Sequence, residues 1–151
     1  MKTTTENNTA ALIHLSTLTQ YCIPFGNYII PIVIWNIKKN ESETIDYNGK
    51  QVLNFQLSWL LYSILLLLIM VPVFLITVFN HVGLEAIINN HDVVLKNLNI
   101  ENNLEWITVG IVALVTFLAL KCAEFFLILY ATIKTSEGER YRYPLTLSFI
   151  K

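Results

Sequence analysis

The sequence predicts an all-α integral membrane protein of three transmembrane helices, the first of them broken, with short interfacial elements. Three observations carry that expectation. The chain of 151 residues is 54% hydrophobic and only 14% charged, with a mean hydropathy of +0.54, too apolar for a water-soluble domain of this length. The apolar residues gather in three long runs, residues 10–37, 52–79 and 106–133. Within those runs Asp, Glu, Lys and Arg occur only as Lys121 and Glu124, three residues apart in the third. A single membrane domain over residues 1–151 is expected.

The first run is interrupted by Pro24-Phe25-Gly26-Asn27, with Pro31 close behind. Proline lacks an N–H and glycine is conformationally free, so this composition argues for two half-helices joined by a break. Neither half alone crosses a core of roughly 30 Å at about 1.5 Å per residue. Together they can, and a broken span is preferred to a re-entrant hairpin. No small-residue cleavage site follows the N-terminal residues, so the run reads as retained rather than as a signal peptide.

The second run is almost wholly Leu, Ile, Val, Met and Phe from residue 60 to 79, a secure span that tolerates Pro72 where neighbours satisfy the freed carbonyl. Before it, Asn48-Gly49 has the composition of a tight turn. The third run ends at Lys134, whose stem can reach the interface. Lys38, Lys39 and Lys50 lie before the second span, and Lys134, Arg140, Arg142 and Lys151 after the third, whereas the connection 80–105 holds only Lys96. By the positive-inside rule, residues 38–51 and the tail 134–151 are cytoplasmic and 80–105 is external. The external connection mixes apolar residues with many Asn and suits an amphipathic surface helix. In the tail, Leu145, Leu147 and Phe149 alternate with Thr146 and Ser148, the pattern of a short strand or an extended interfacial segment.

Lys121 and Glu124 are the chemically informative pair. Each charge costs about 2.5–3.5 kcal/mol at a bilayer centre on insertion scales, so the two must be paired, shielded or in use. Counted from the span ends, they fall level with Tyr62 and Ser63 and with the break that contains Asn27. A polar plug holding helices in register is the preferred reading, ahead of a proton or ion relay lining a cavity. Ala119 and Ala123 form a small-xxx-small pair on the face opposite Lys121, the pattern of close helix packing. His81, Glu85, His91 and Asp92 offer zinc-ligand types but match no closed motif, so no metal is expected. His14 reads as a hydrogen-bonded helix residue near the outer interface. Cys22 and Cys122, both in apolar runs, read as small hydrophobes.

Two stretches match a known pattern: Ile30-Pro31-Ile32-Val33-Ile34-Trp35 leading through Lys38-Lys39 to Gly49-Lys50-Gln51-Val52-Leu53-Asn54-Phe55-Gln56, and Ile133-Lys134 through Gly138 to Tyr143-Pro144-Leu145-Thr146. Together they resemble a family of small bacterial membrane proteins of unknown function, grouped distantly with Tic-twenty-like components of the chloroplast protein-import machinery. The resemblance implies a helical inner-membrane protein and no particular activity. The long connection 80–105 and the Lys121/Glu124 pair depart from the pattern.

The net charge of −1 and the absence of a basic stripe argue against nucleic acid as a partner. No nucleophile-base arrangement, phosphate loop or haem motif is present, so neither enzymatic activity nor a cofactor is expected. The expected function is a non-enzymatic accessory or scaffold component of a membrane assembly, in contact with the bilayer and with other membrane subunits or a second copy of the chain. The alternative is a small pore or transporter-like unit, an import-type channel or a proton or ion relay, working through Lys121 and Glu124.

Overall fold

The computed structural model describes residues 2–82 and 104–151. The surface helix expected in the external connection lies outside the described residues, as do Glu85, His91, Asp92 and the His81 side chain. Among the described residues the regular structure is wholly helical: α1 (Lys2–Ser16), a 3₁₀ turn (Thr17–Tyr21), α2 (Gly26–Lys38), α3 (Glu43–Val82) and α4 (Leu104–Ser136). Among the described residues two helices are long and apolar enough to cross a membrane, α3 over Glu43–Pro72 and α4 over Thr108–Ser136. The chain divides into two compact units, Met1–Tyr62 with Lys121–Lys151, and Ser63–Leu120. In the second unit, apolar side chains such as Leu67, Leu68, Ile69, Val112 and Leu114 are exposed, while Ala113 is buried.

The first unit corrects the reading of residues 10–37. The break is present, but the chain reverses there instead of continuing. Successive hydroxyls of Ser16, Thr17 and Thr19 donate to the carbonyls three residues back, at 2.7, 2.8 and 2.6 Å, which tightens the end of α1 into the 3₁₀ turn. Phe25 then takes a left-handed conformation at φ 60°, a strain of about 1–2 kcal/mol for a residue with a Cβ, and α2 returns along α1. Ser42, beyond the end of α2, donates to Glu6 near the start of α1 at 3.0 Å. Both ends of the hairpin therefore sit together, and its two short helices do not add up to one crossing.

Asn48-Gly49 is also not a turn. α3 begins at Glu43, where the Ser42 hydroxyl accepts from the Thr44 N–H at 3.2 Å and Glu43 and Asp46 occupy the first turn. Gly49 lies within this helix because Trp35 packs across it: a Cβ there would run into the indole ring, whose Nε1 donates to Asp46 at 3.0 Å. The glycine serves close approach rather than backbone reversal. Pro72 is likewise accommodated inside α3.

α4 ends in a Schellman motif. Gly138 adopts φ 87°, its N–H donates to Thr135 O, and the Glu139 N–H donates to Lys134 O, each at 3.0 Å. Beyond it the tail forms no strand. It is extended and fastened to side chains on one face of α3: Tyr62 Oη donates to Leu145 O (2.7 Å), Ser58 Oγ accepts from Leu147 N (2.9 Å), and Asn54 Oδ1 accepts from Phe149 N (2.9 Å) and Ile150 N (2.8 Å). Asn54 Nδ2 also donates to Ile150 O at 2.9 Å.

Candidate functional site

The interior of the first unit is more polar than its sequence suggests. Glu124 on α4 is 1% exposed and pairs with Lys121 Nζ at 2.7 Å, while the Lys121 side chain is 36% exposed. Lys121 thus reaches outward from a sequestered carboxylate. The other carboxylate oxygen accepts from Gln20 Nε2 at 3.3 Å, a donor presented by the 3₁₀ turn. The ion pair is therefore tied to the tip region of the hairpin through Gln20 and not through Asn27.

Asn27 instead donates to Gln56 Oε1 at 2.7 Å, joining α2 to α3, and Tyr28 Oη donates to the Gln56 carbonyl at 3.3 Å. Burial raises the Tyr28 hydroxyl above its usual pKa; a hydrogen bond with Asn27 lowers it and the charge of Glu124 adds to the rise, which places this group near the ion pair. Among the described residues, Gln56 Nε2 is a buried side-chain donor with no partner, a cost of about 1–3 kcal/mol. Tyr62 does not join the centre, since its hydroxyl is spent on the tail, and Ser63 is half-buried in the second unit.

A second network, missed by sequence reasoning, lies nearer the charged end. His14 is fully buried, with Nδ1 2.8 Å from Tyr143 Oη and Nε2 2.9 Å from Asn48 Oδ1. Asn48 Nδ2 donates to Thr44 O at 2.8 Å, so its oxygen is an acceptor; it also receives the Thr135 hydroxyl at 3.3 Å. This assigns the imidazole as neutral, Nε2–H donating to Asn48 and Nδ1 accepting from Tyr143. Burial lowers its pKa from 6.5 to about 4, against the opposing pull of the Asn48 hydrogen bond. Tyr143 is pushed well above its ordinary range, chiefly by burial, and its ring stacks on Phe55 at 4.0 Å between centroids. One chain of bonds thus fastens α1, α3, α4 and the tail. His14 is hydrogen-bonded as expected, to Asn48 in the first turns of α3 and to Tyr143 in the tail.

Ala119 and Ala123 are exposed on α4, and Cys22 and Cys122 are free and exposed. Among the described residues no three His, Cys, Asp or Glu side chains converge as metal ligands would.

A family model covering residues 5–150 matches this chain, that of the magnetosome magnetite crystal formation protein family. The chain belongs to that family. Membership in the magnetosome family and the two long apolar helices together support a membrane location. The expectation of a small bacterial membrane-protein family holds, with crystal formation in its description. No curated protein and no solved structure matches the chain.

Proposed function

We propose that the protein is a non-enzymatic accessory or scaffold component of the magnetosome membrane that supports magnetite crystal formation by assembling with other membrane subunits or with copies of itself. The observation that carries this reading is the bareness of α4. Only 11% of the apolar window in Thr108–Ser136 is buried within the chain, and its small pair Ala119 and Ala123 is exposed where a neighbouring helix would approach closely. In this reading α3 and α4 cross a bacterial inner membrane with residues 38–51 and the start of the tail on the cytoplasmic face. The hairpin bonds then put the N-terminus on that face too.

The test is Ala119→Leu with Ala123→Leu. The double variant should stay folded, lose co-purifying partners or its own oligomer in mild detergent, and alter crystal size in cells. A protein that is a lone monomer in several mild detergents, unchanged by the substitution, refutes the reading.

A second reading, a small pore, import-type channel or proton relay, is favoured by the unpartnered Nε2 of Gln56, a residue that bonds Asn27 and Tyr28, the latter within the field of Glu124. The likeness to import-machinery components belongs here. Flux in reconstituted vesicles that disappears in a folded Lys121→Met, Glu124→Gln variant would select it.

A further inference from the structure

The tail holds an arrangement that a cytoplasmic segment does not need. Asn54, Ser58 and Tyr62 stand at i, i+4 and i+8 on α3, one straight stripe along the helix, and all three bond tail backbone. Asn54 and Ser58 are buried beneath the tail. Pairing runs backwards along α3: Leu145 lies against Tyr62, Leu147 against Ser58, and Ile150 against Asn54. The tail therefore climbs beside α3 and turns at Pro144 and Leu145, where Leu145 takes a left-handed φ of 55°. It then descends, and Lys151 follows only after Ile150 has reached Asn54. Tyr62 is twelve residues beyond Lys50, the last charged residue on α3 before its apolar stretch, which is about 18 Å along the helix at the usual rise. Between Arg142 and Lys151 there is no charge, and the outward side chains are Leu145, Leu147 and Phe149, exposed by 77, 46 and 50%.

We propose that residues 144–149 are seated among lipid acyl chains as a short re-entrant loop beside α3, not in the aqueous cytoplasm. The physical requirement is that backbone amides and carbonyls in hydrocarbon find partners, since water is absent there. Asn54, Ser58 and Tyr62 supply such partners to the Leu145 carbonyl and to the Leu147 and Phe149 amides, and the apolar side chains of Leu145, Leu147 and Phe149 are exposed. This rests on the reading that α3 crosses the membrane.

The experiment uses the full chain carrying Cys22→Ser and Cys122→Ala, reconstituted in phosphatidylcholine–phosphatidylglycerol vesicles. Spin labels are placed in turn at Leu147→Cys and Phe149→Cys, with Leu67→Cys as the span reference and Lys151→Cys as the aqueous one. Collision with oxygen, which prefers lipid, is compared with collision with a water-soluble nickel complex. The oxygen-to-nickel ratio at 147 and 149 is expected to exceed that at 151 several-fold and to approach that at 67. A ratio at both positions like that at 151, with 67 still in lipid, overturns the proposal, as does shielding from both reagents, the sign of a protein partner. Label 67 in water means that α3 does not cross, and the proposal falls with it. Asn54→Leu and the milder Ser58→Ala provide a second reading: in folded protein, judged by circular dichroism, each is expected to shift label 149 or 147 towards nickel. No shift in either variant overturns the pinning argument.

Discussion

Lowering the pH should loosen the first unit through His14, and the effect can be sized from its surroundings. The folded imidazole titrates at about 4 because burial disfavours its charge, whereas an unfolded histidine titrates at 6.5. Between those values the unfolded chain binds more protons, so stability is complete above about 6.5 and is lost as the pH falls towards 4. At about 1.4 kcal/mol per unit, the loss between pH 7 and pH 5 is about 2 kcal/mol. The geometry agrees: Nδ1 accepts from Tyr143 and would have to become a donor, while Nε2 already donates to Asn48. The assay is the unfolding midpoint in mild detergent by circular dichroism, at intervals from pH 7.5 to 5, a range in which exposed carboxylates remain ionised. His14→Gln should be less stable at pH 7 and have a flatter pH profile. A flat profile in the native chain, or an identical slope in His14→Gln, refutes the burial argument.

Lys121→Met should cost about 3–5 kcal/mol, because it strands the Glu124 carboxylate, 1% exposed, without its partner. The double variant Lys121→Met, Glu124→Gln should recover much of the loss, and additive costs in a double-mutant cycle would show that the pair is not coupled. Gly49→Ala should destabilise by about 1–2 kcal/mol, the clash with Trp35 outweighing a gain in helix propensity of about 1 kcal/mol, and should red-shift Trp35 fluorescence. An unshifted spectrum with raised stability counts against the packing. Cysteines at Thr4 and at Arg140 should react from the same side of the membrane, as the hairpin requires; labelling from opposite sides restores the broken span.

The long apolar runs made most of α3 and of α4 legible, because a bilayer demands little besides length and hydropathy. The hairpin was not legible for a physical reason. Pro24 and Gly26 interrupt a helix equally well whether the chain continues or reverses, and the decision rests on bonds such as Ser42 to Glu6 and His14 to Asn48, each between residues more than thirty apart. Asn48-Gly49 misled because its local turn preference was overridden by Trp35, which needs a side chain absent at Gly49. Lys121 and Glu124 could be paired by helical spacing alone, whereas Gln20, a tertiary partner of Glu124, could not. The stripe Asn54, Ser58 and Tyr62 carried a readable signal in its four-residue period, but a polar stripe does not disclose that an extended segment lies upon it.

The buried positions Glu124, Ile128, Ala131 and Thr135 recur on α4 at intervals of four, three and four. Among the described side chains of α4 these, with Ala113, are the buried ones, while positions such as Phe126 and Ile133 face outward. Substitution at every position of α4 should therefore produce a comb, intolerant teeth in helical register separated by gaps that accept any lipid-compatible side chain. Additional teeth out of that register would map, without isolation of a complex, the side of α4 that a neighbour occupies.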